Sequence, residues 1–242
     1  MQFPTPLFEG EPVRRFKRFL ADVTLRDGPD AGSTLTIHCP NPGSMMGLAR
    51  PGARVFVSKS NNPNRKLAYT YELEEVVGPG PSCLVGINTS HPNKLAEEAI
   101  RAGLLPTLKT FGELKREQRY GERSRIDILL VGDGGALTYV EVKNVHLMRR
   151  AGHLEFPDSV TSRGAKHLRE LAAMATQGHR AVMLFVAQWP GAQTLSVAGD
   201  IDPVYQAAIA EAQKAGVEVL ALDCTVSRDA ITPSGGLRFL TD

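Results

Sequence analysis

Two carboxylates and a lysine are spaced for shared chemistry in SRIDILLVGDGGALTYVEVKN: Asp127 near its start, Glu141 and Lys143 near its end. Side chains alternate along a strand, so Glu141 and Lys143 share a face, roughly 7 Å apart along the backbone, while Val142 faces the opposite layer. The turn at Gly132–Gly135 predicts a hairpin that brings Asp127 on one strand beside Glu141 on the next. Converging carboxylates repel each other and raise a pKa unless a cation neutralises them. A hard, oxygen-seeking Mg²⁺ or Mn²⁺ is the natural cation. It would activate water and stabilise charge on phosphoryl oxygens, with Lys143 orienting the water or screening developing charge. This is phosphodiester chemistry. The competing reading is a cross-strand ion pair on a wet sheet face, Asp127 or Glu141 with Arg125 or Lys143.

The elements around the hairpin bear on that choice. Thr161 to Thr176 reads as a helix stopped by Gly178, with Arg163, Lys166, His167 and Glu170 on one side and Leu168, Leu171, Ala172 and Ala175 on the other. A basic face that follows a carboxylate cluster suits a scissile phosphate held against a metal; charges turned to water are the plainer alternative. Spacing alone does not make His167 a general base. His91 to Ala102 reads as an earlier helix, with Thr89 or Ser90 as cap and an end at Gly103. Arg180 to Val186 is a continuous apolar run, as expected of a strand buried on both faces. Pro203 to Ala215 is a third helix capped by Asp202, and Val217 to Val226 a further strand. Alternating strands and helices imply an α/β layer with some parallel pairing.

Upstream of residue 80 the texture is all-β. Apolar and β-branched runs at Phe16–Leu25, Ser33–His38, Arg54–Ser58 and Leu67–Val77 are separated by turn-rich segments. A five-stranded oligonucleotide-binding (OB) barrel fits that length. GPGPS, Gly78–Ser82, marks the junction, giving a barrel over 1–80 and an α/β domain over 81–242.

The bulk properties are those of a soluble protein: 42% hydrophobic and 22% charged residues, with no apolar run as long as a membrane span. Cys39, Cys83 and Cys224 form no CxxC pair, and MQFPTPLFEGEP has no signal-peptide pattern, so reduced thiols in a cytoplasmic protein are expected. A net charge of +2 gives little support to a polyanion partner. Its distribution gives more. No acid occurs between Ala31 and Tyr71, where Arg50, Arg54, Lys59, Arg65 and Lys66 fall, and RRFKRF supplies Arg14, Arg15, Lys17 and Arg18 among aromatics. Arg14, Arg15, Lys17, Arg18, Arg65 and Lys66, with Arg163, Lys166 and His167, are the candidate DNA contacts.

Through RFLADV, HCPNPGSM, RSRID, YVEVKNV, FPDSVTSRGAKHLREL and GHRAVMLF the chain resembles the sugar fermentation stimulation protein A family over nearly its whole length. The resemblance implies an OB-like barrel joined to a PD-(D/E)xK nuclease-like domain. It also implies DNA binding without marked sequence preference and a link to the regulation of sugar (maltose) utilisation. Asp127, Glu141 and Lys143 match the nuclease-type core, and Glu98 stands where the family places a third metal-binding acid. The helical wheel does not choose between Glu97 and Glu98, and Glu117 is a further candidate. Ile126 replaces the eponymous proline, and Pro42 stands where a family threonine is expected.

Two functions follow. In one, the protein is a Mg²⁺- or Mn²⁺-dependent nuclease; in the other, a regulatory protein whose nuclease-like fold binds DNA without turnover. The clustered acids favour the first, because a pure binder gains little from acids facing a polyanion. Near-neutral charge and the lack of a helix-turn-helix pattern weigh against a sequence-reading repressor. Nucleases often cut both strands as dimers, so a homodimer is an assembly this reading allows.

Overall fold

The computed structural model describes residues 1–77, 82–121 and 124–241. Most of the expected junction GPGPS therefore lies outside the described residues. The first sheet comprises β1 (Phe8–Phe16), β2 (Leu20–Leu25), β3 (Thr34–His38), β4 (Arg54–Lys59), β5 (Tyr69–Val76) and β6 (Cys83–Gly86). Its order is β3-β2-β1-β4-β5-β6, and a bridge between His38 and Thr70 closes β3 onto β5, making a barrel. Burial alternates along β2, as a barrel wall with one core face requires. β6 extends the sheet past residue 80.

The sequence run Phe16–Leu25 is not one strand. It contains a hairpin turn at Lys17–Phe19, in which Lys17 and Arg18 have φ of 49° and 63°. Non-glycine residues rarely take that left-handed conformation, so composition does not announce the turn. β1 itself lies almost wholly upstream of the run, because Gly10, Pro12 and the arginines dilute its apolar pattern.

The second domain begins with α1 (Pro92–Arg101), followed by β7 (Glu113–Tyr120), β8 (Ser124–Val131), β9 (Leu137–Val145), β10 (Leu147–Arg150), β11 (His153–Phe156), α2 (Ser162–Thr176), β12 (Arg180–Ala187), β13 (Thr194–Val197), α3 (Pro203–Lys214), β14 (Glu218–Val226) and β15 (Ile231–Phe239). These strands form one mixed sheet, ordered β10-β11-β13-β15-β14-β12-β9-β8-β7. β12 pairs in parallel with both β9 and β14, and seven of its eight residues are buried. That accounts for its unbroken apolar sequence.

Helices cover both faces. Leu168 and Leu171 of α2 pack with Tyr139 and Phe185 on one side of the sheet, while Leu95, Ala99 and Ile100 of α1 pack with Val140, Val142 and Leu184 on the other. Thr161 caps α2, its side chain accepting from Gly164 N at 3.1 Å, and Asp202 caps α3 by accepting from Tyr205 N at 2.9 Å. Both apolar clusters also contain barrel residues, Tyr71 in the first and Phe56 and Leu73 in the second. No helix among the described residues is long and apolar enough to cross a membrane.

Candidate active site

β8 and β9 pair in antiparallel register through Ile128↔Val140, which puts Asp127 at the end of the ladder opposite Glu141. There the side chain takes over from the backbone: Asp127 Oδ2 accepts from Val142 N at 2.8 Å. Asp127 Oδ1 accepts from Asn93 Nδ2 of α1, also at 2.8 Å. The break has a counterpart on the neighbouring strand, where Glu117 has φ of 53° and lies opposite Asp127 in the β7–β8 register. Backbone strain of that kind at a non-glycine residue collects at functional sites.

Glu141 is 2% exposed. Its Oε1 accepts from Lys143 Nζ at 2.5 Å and from His167 Nδ1 on α2. Arg163 Nε in turn donates to His167 Nε2 at 3.3 Å, which leaves Nδ1 to carry the proton shared with Glu141. The ion-pair reading of the sequence is thus realised at one oxygen. At the other it is not: Glu141 Oε2 is buried and has no hydrogen-bond partner.

Electrostatics separate the two carboxylates. Burial works against the charge of Glu141, but the hydrogen bond from His167 and the charge of Lys143 outweigh it and hold the carboxyl below its ordinary range. Asp127 goes the other way. Burial and then repulsion from Glu141 raise its pKa, more than the Val142 N–H, Lys143 and Asn93 lower it.

Two groups not singled out as site residues join this cluster. Glu170, one turn beyond Lys166 on α2, accepts from Ser124 Oγ at 2.8 Å through Oε1, and its Oε2 is buried without a partner. The Tyr120 hydroxyl, at the end of β7, is also buried and unpartnered. Burial and the nearby charges of Glu141, Glu170 and Asp127 keep it protonated. The helical wheel puts Glu170 on the polar side of α2 beside Arg163, Lys166 and His167, where the cations mask it. Tyr120 carried no signal, since one tyrosine in a charged segment is unremarkable.

The structure does not bring Glu98 to this group. Asn93 fixes which side of α1 faces Asp127, and Glu98 is rotated away from it by about 140°, given 3.6 residues per turn. Its carboxylate instead accepts from the Met1 ammonium at 2.6 Å. Glu97 lies on the Asn93 side, ion-paired with Arg101 at 2.9 Å and with Arg116 of β7 at 3.9 Å. Glu117 is exposed. Among the described residues no three Asp, Glu, His or Cys side chains converge in a ready-made metal cage. The donor set nevertheless suits a hard cation that keeps waters and a substrate oxygen in its shell, which needs only one or two carboxylates. The unsatisfied Glu141 Oε2 is the atom that fits it.

The candidate DNA contacts divide. Lys17, Arg18 and Lys66 are exposed. Arg14 pairs with Asp22 at 2.7 Å and lies over the Phe16 ring, and Arg65 donates to Thr70 Oγ1 at 2.9 Å. Arg15 turns inward and donates to the carbonyls of Arg18, Asn41 and Gly43 at 2.9, 2.6 and 2.8 Å. It is a brace rather than a free charge. Lys166 sits 3.6 Å from Glu170.

Residues 13–87 match the SfsA N-terminal OB domain, and residues 90–230 match the sugar fermentation stimulation protein RE domain. The chain belongs to the sugar fermentation stimulation protein family. A homolog of that protein from Rhodospirillum centenum is 52% identical over 96% of both chains. Another from Azorhizobium caulinodans is 49% identical over 99% of this chain and 100% of the relative. Among solved structures, Pyrococcus furiosus SfsA in complex with Ca²⁺ superposes with a TM-score of 0.86 at 28% identity, covering 99% of this chain and 98% of that one. The sugar fermentation stimulation protein fold thus spans the whole chain, the OB barrel followed by the mixed α/β sheet.

Proposed function

We propose that this protein is a divalent-metal-dependent DNA nuclease whose hydrolytic centre is Asp127, Glu141 and Lys143. The observation that carries the reading is the buried, unpartnered Glu141 Oε2, on the carboxylate facing Asp127 and clasped by Lys143. A buried carboxylate oxygen with no donor costs free energy in the free protein, a cost relieved by a cation or a water bound to one. The Ca²⁺ held by the Pyrococcus furiosus relative supports a divalent ion in this fold.

Hydrolysis forms a bond from a water oxygen to phosphorus and breaks one phosphorus–sugar oxygen bond. Protons leave the attacking water and reach the departing oxygen. A metal held by Asp127 and Glu141 would supply Lewis acidity at the phosphoryl oxygens. Lys143 orients the water and screens the charge that builds on phosphorus, with His167 and Arg163 steadying Glu141 from behind. The exposed Lys17, Arg18 and Lys66 of the barrel supply charge for the phosphate backbone.

The test is cleavage of single-stranded, duplex and branched DNA with Mg²⁺ or Mn²⁺. The wild type should cut, and Glu141→Ala with Lys143→Ala should abolish cutting while DNA binding persists. No cleavage of any substrate with either metal would remove the nuclease reading. That result would favour a regulatory protein that holds DNA without turnover. The clasp on Glu141 Oε1 by Lys143 and His167 is the observation on that side, since it already neutralises one carboxylate.

A further inference from the structure

A cleft of about 700 Å³ opens where the two domains meet. One wall is barrel: Arg18 and the loop Asn41–Gly43. The other is second domain: Asn144, His146 and the segment from Phe156 to Arg163. Of its lining only Arg163 also touches the hydrolytic centre, through His167. We propose that this cleft is an end-binding subsite that takes the terminal phosphate of a DNA strand. The identity of the strand rests on the nuclease reading above; the anion chemistry of the cleft does not.

Charge is the first argument. Arg18 and Arg163 reach the cleft from opposite domains, both are exposed, and neither pairs with a carboxylate among the described residues. Asp158 lies in the same wall, but its charge is already engaged. Its Oδ2 accepts from Met45 N at 2.8 Å and lies 3.2 Å from His146 Nε2. Burial opposes its ionisation, yet those partners hold its pKa at about 2. The cleft therefore holds two guanidiniums against one carboxylate, and that carboxylate is hydrogen-bonded to Met45 N. A phosphate monoester carries about −1.5 to −2 near neutral pH, whereas an internal diester carries a single charge. Two arginines match the terminal group better, and guanidinium is the side chain suited to bidentate phosphate contact.

Shape is the second argument. The floor is a largely buried polar network: Asn144 Nδ2 donates to His146 Nδ1 at 2.7 Å, His146 Nε2 donates to Asp158 Oδ2 at 3.2 Å, and Asn41 Nδ2, which donates to Ile87 O at 3.1 Å, lies 3.4 Å from the same ring nitrogen. This network joins the domains behind the cleft, so a strand cannot pass between the domains at this floor. A chain end can enter. The volume lies within the roughly 300–1,000 Å³ of small-molecule pockets, room for a nucleotide.

Preorganisation is the third. Arg18 sits in a left-handed turn that a non-glycine residue adopts at a cost, and the Arg15 guanidinium ties that turn to the Asn41–Gly43 loop through three carbonyls. The barrel wall is thereby held as one piece. On the far side, Arg163 both lines the cleft and donates to His167, which touches Glu141. An occupant of the cleft would therefore adjoin the candidate hydrolytic residues, and cutting would start near a strand end.

The experiment compares 5′-phosphorylated, 3′-phosphorylated and unphosphorylated oligothymidylates by fluorescence anisotropy, using wild type, Arg18→Gln and Arg163→Gln. Thermal melts certify that each variant is folded. One terminal phosphate should tighten binding to the wild type by about tenfold or more, and each variant should lose most of that advantage. Inorganic phosphate should compete for the same advantage. Equal affinity for phosphorylated and unphosphorylated strands, or an undiminished advantage in both variants, would overturn the subsite. Its fate is separable from that of the nuclease reading. An end preference without cleavage leaves the subsite and removes the nuclease; cleavage indifferent to end phosphates does the reverse.

Discussion

Asp127 receives two hydrogen bonds and is still disfavoured as an anion, because burial and the facing Glu141 outweigh the Val142 N–H, Lys143 and Asn93. Its folded pKa lies above the ordinary 3.8, so the folded state binds the proton more tightly than the unfolded chain does. Ionisation therefore subtracts stability as pH rises through and beyond the unfolded value, and the whole cost is present once the folded group has titrated. Asp127→Asn keeps an acceptor for Val142 N and removes the charge. It should stabilise the protein at pH 7 by about 1 kcal/mol, some 2–4 °C in a thermal melt, and the gain should vanish in acid. Cleavage should be lost in the same variant. A lower melting temperature at pH 7 would show that the carboxylate is stabilising without its metal. Asp127, Glu141 and Lys143 could be read from the sequence because strand alternation dictates their faces. A choice between Glu97 and Glu98 could not, since both border the apolar face of α1 and only the contact from Asn93 to Asp127 shows which border looks toward the site. Nor could the inward turn of Arg15, whose partners are backbone carbonyls that any sequence possesses.

At the scale of elements, α2 brings Arg163, His167 and Glu170 to the site, and its position depends on close approach to α3. A Cβ built on Gly164 would lie 2.8 Å from Thr161 Cγ2 and 2.9 Å from a ring carbon of the fully buried Tyr205. Tyr205 is enclosed and Thr161 is held by its capping bond to Gly164 N, so Gly164→Ala should destabilise by roughly 1–3 kcal/mol, the range for overpacking. Because the strain would shift the helix carrying His167 and Arg163, cleavage should fall further than DNA binding. Denaturant midpoints and a kcat-against-binding comparison would check this; an unchanged midpoint would mean that α2 and α3 can part freely. The helices were legible from apolar period and the glycines that follow them, and α3 also from its Asp202 cap, whereas α1 starts from His91 without a side-chain cap and not from Thr89 or Ser90. Strands β7, β13 and β15 were not. β7 is an edge strand with the polar sequence ELKREQRY, and β15, ITPSGGLRF, carries a proline and two glycines that read as loop. Pairing partners distant in sequence make these segments strands, and their own composition does not.

The whole molecule is held by shared apolar clusters, and this decides how it should unfold. Tyr71 of the barrel and Phe185 of the second sheet belong to one buried cluster, Phe56 and Ile100 to another. Polar joints reinforce them: Gly86 N donates to Gln188 O at 2.8 Å, and Met45 N and the Ser44 hydroxyl donate to Asp158, at Oδ2 (2.8 Å) and the backbone carbonyl (2.6 Å) respectively. Domains that share cores and joints lack independent stability, so unfolding should be a single transition. Fluorescence of Trp189, the sole tryptophan and buried, should track far-UV circular dichroism through that transition. Asp158 supplies the pH test of the joint. Its folded pKa of about 2 lies below the ordinary 3.8, so its contribution is fully present above about pH 4 and is lost as pH falls toward 2. Asp158→Asn should lower stability by roughly 2 kcal/mol at pH 7, and the deficit should shrink through that acid window while the single transition persists. Separate barrel and α/β transitions in the wild type would refute the shared core. A deficit in Asp158→Asn that stays constant down to pH 3 would refute the charge-based joint.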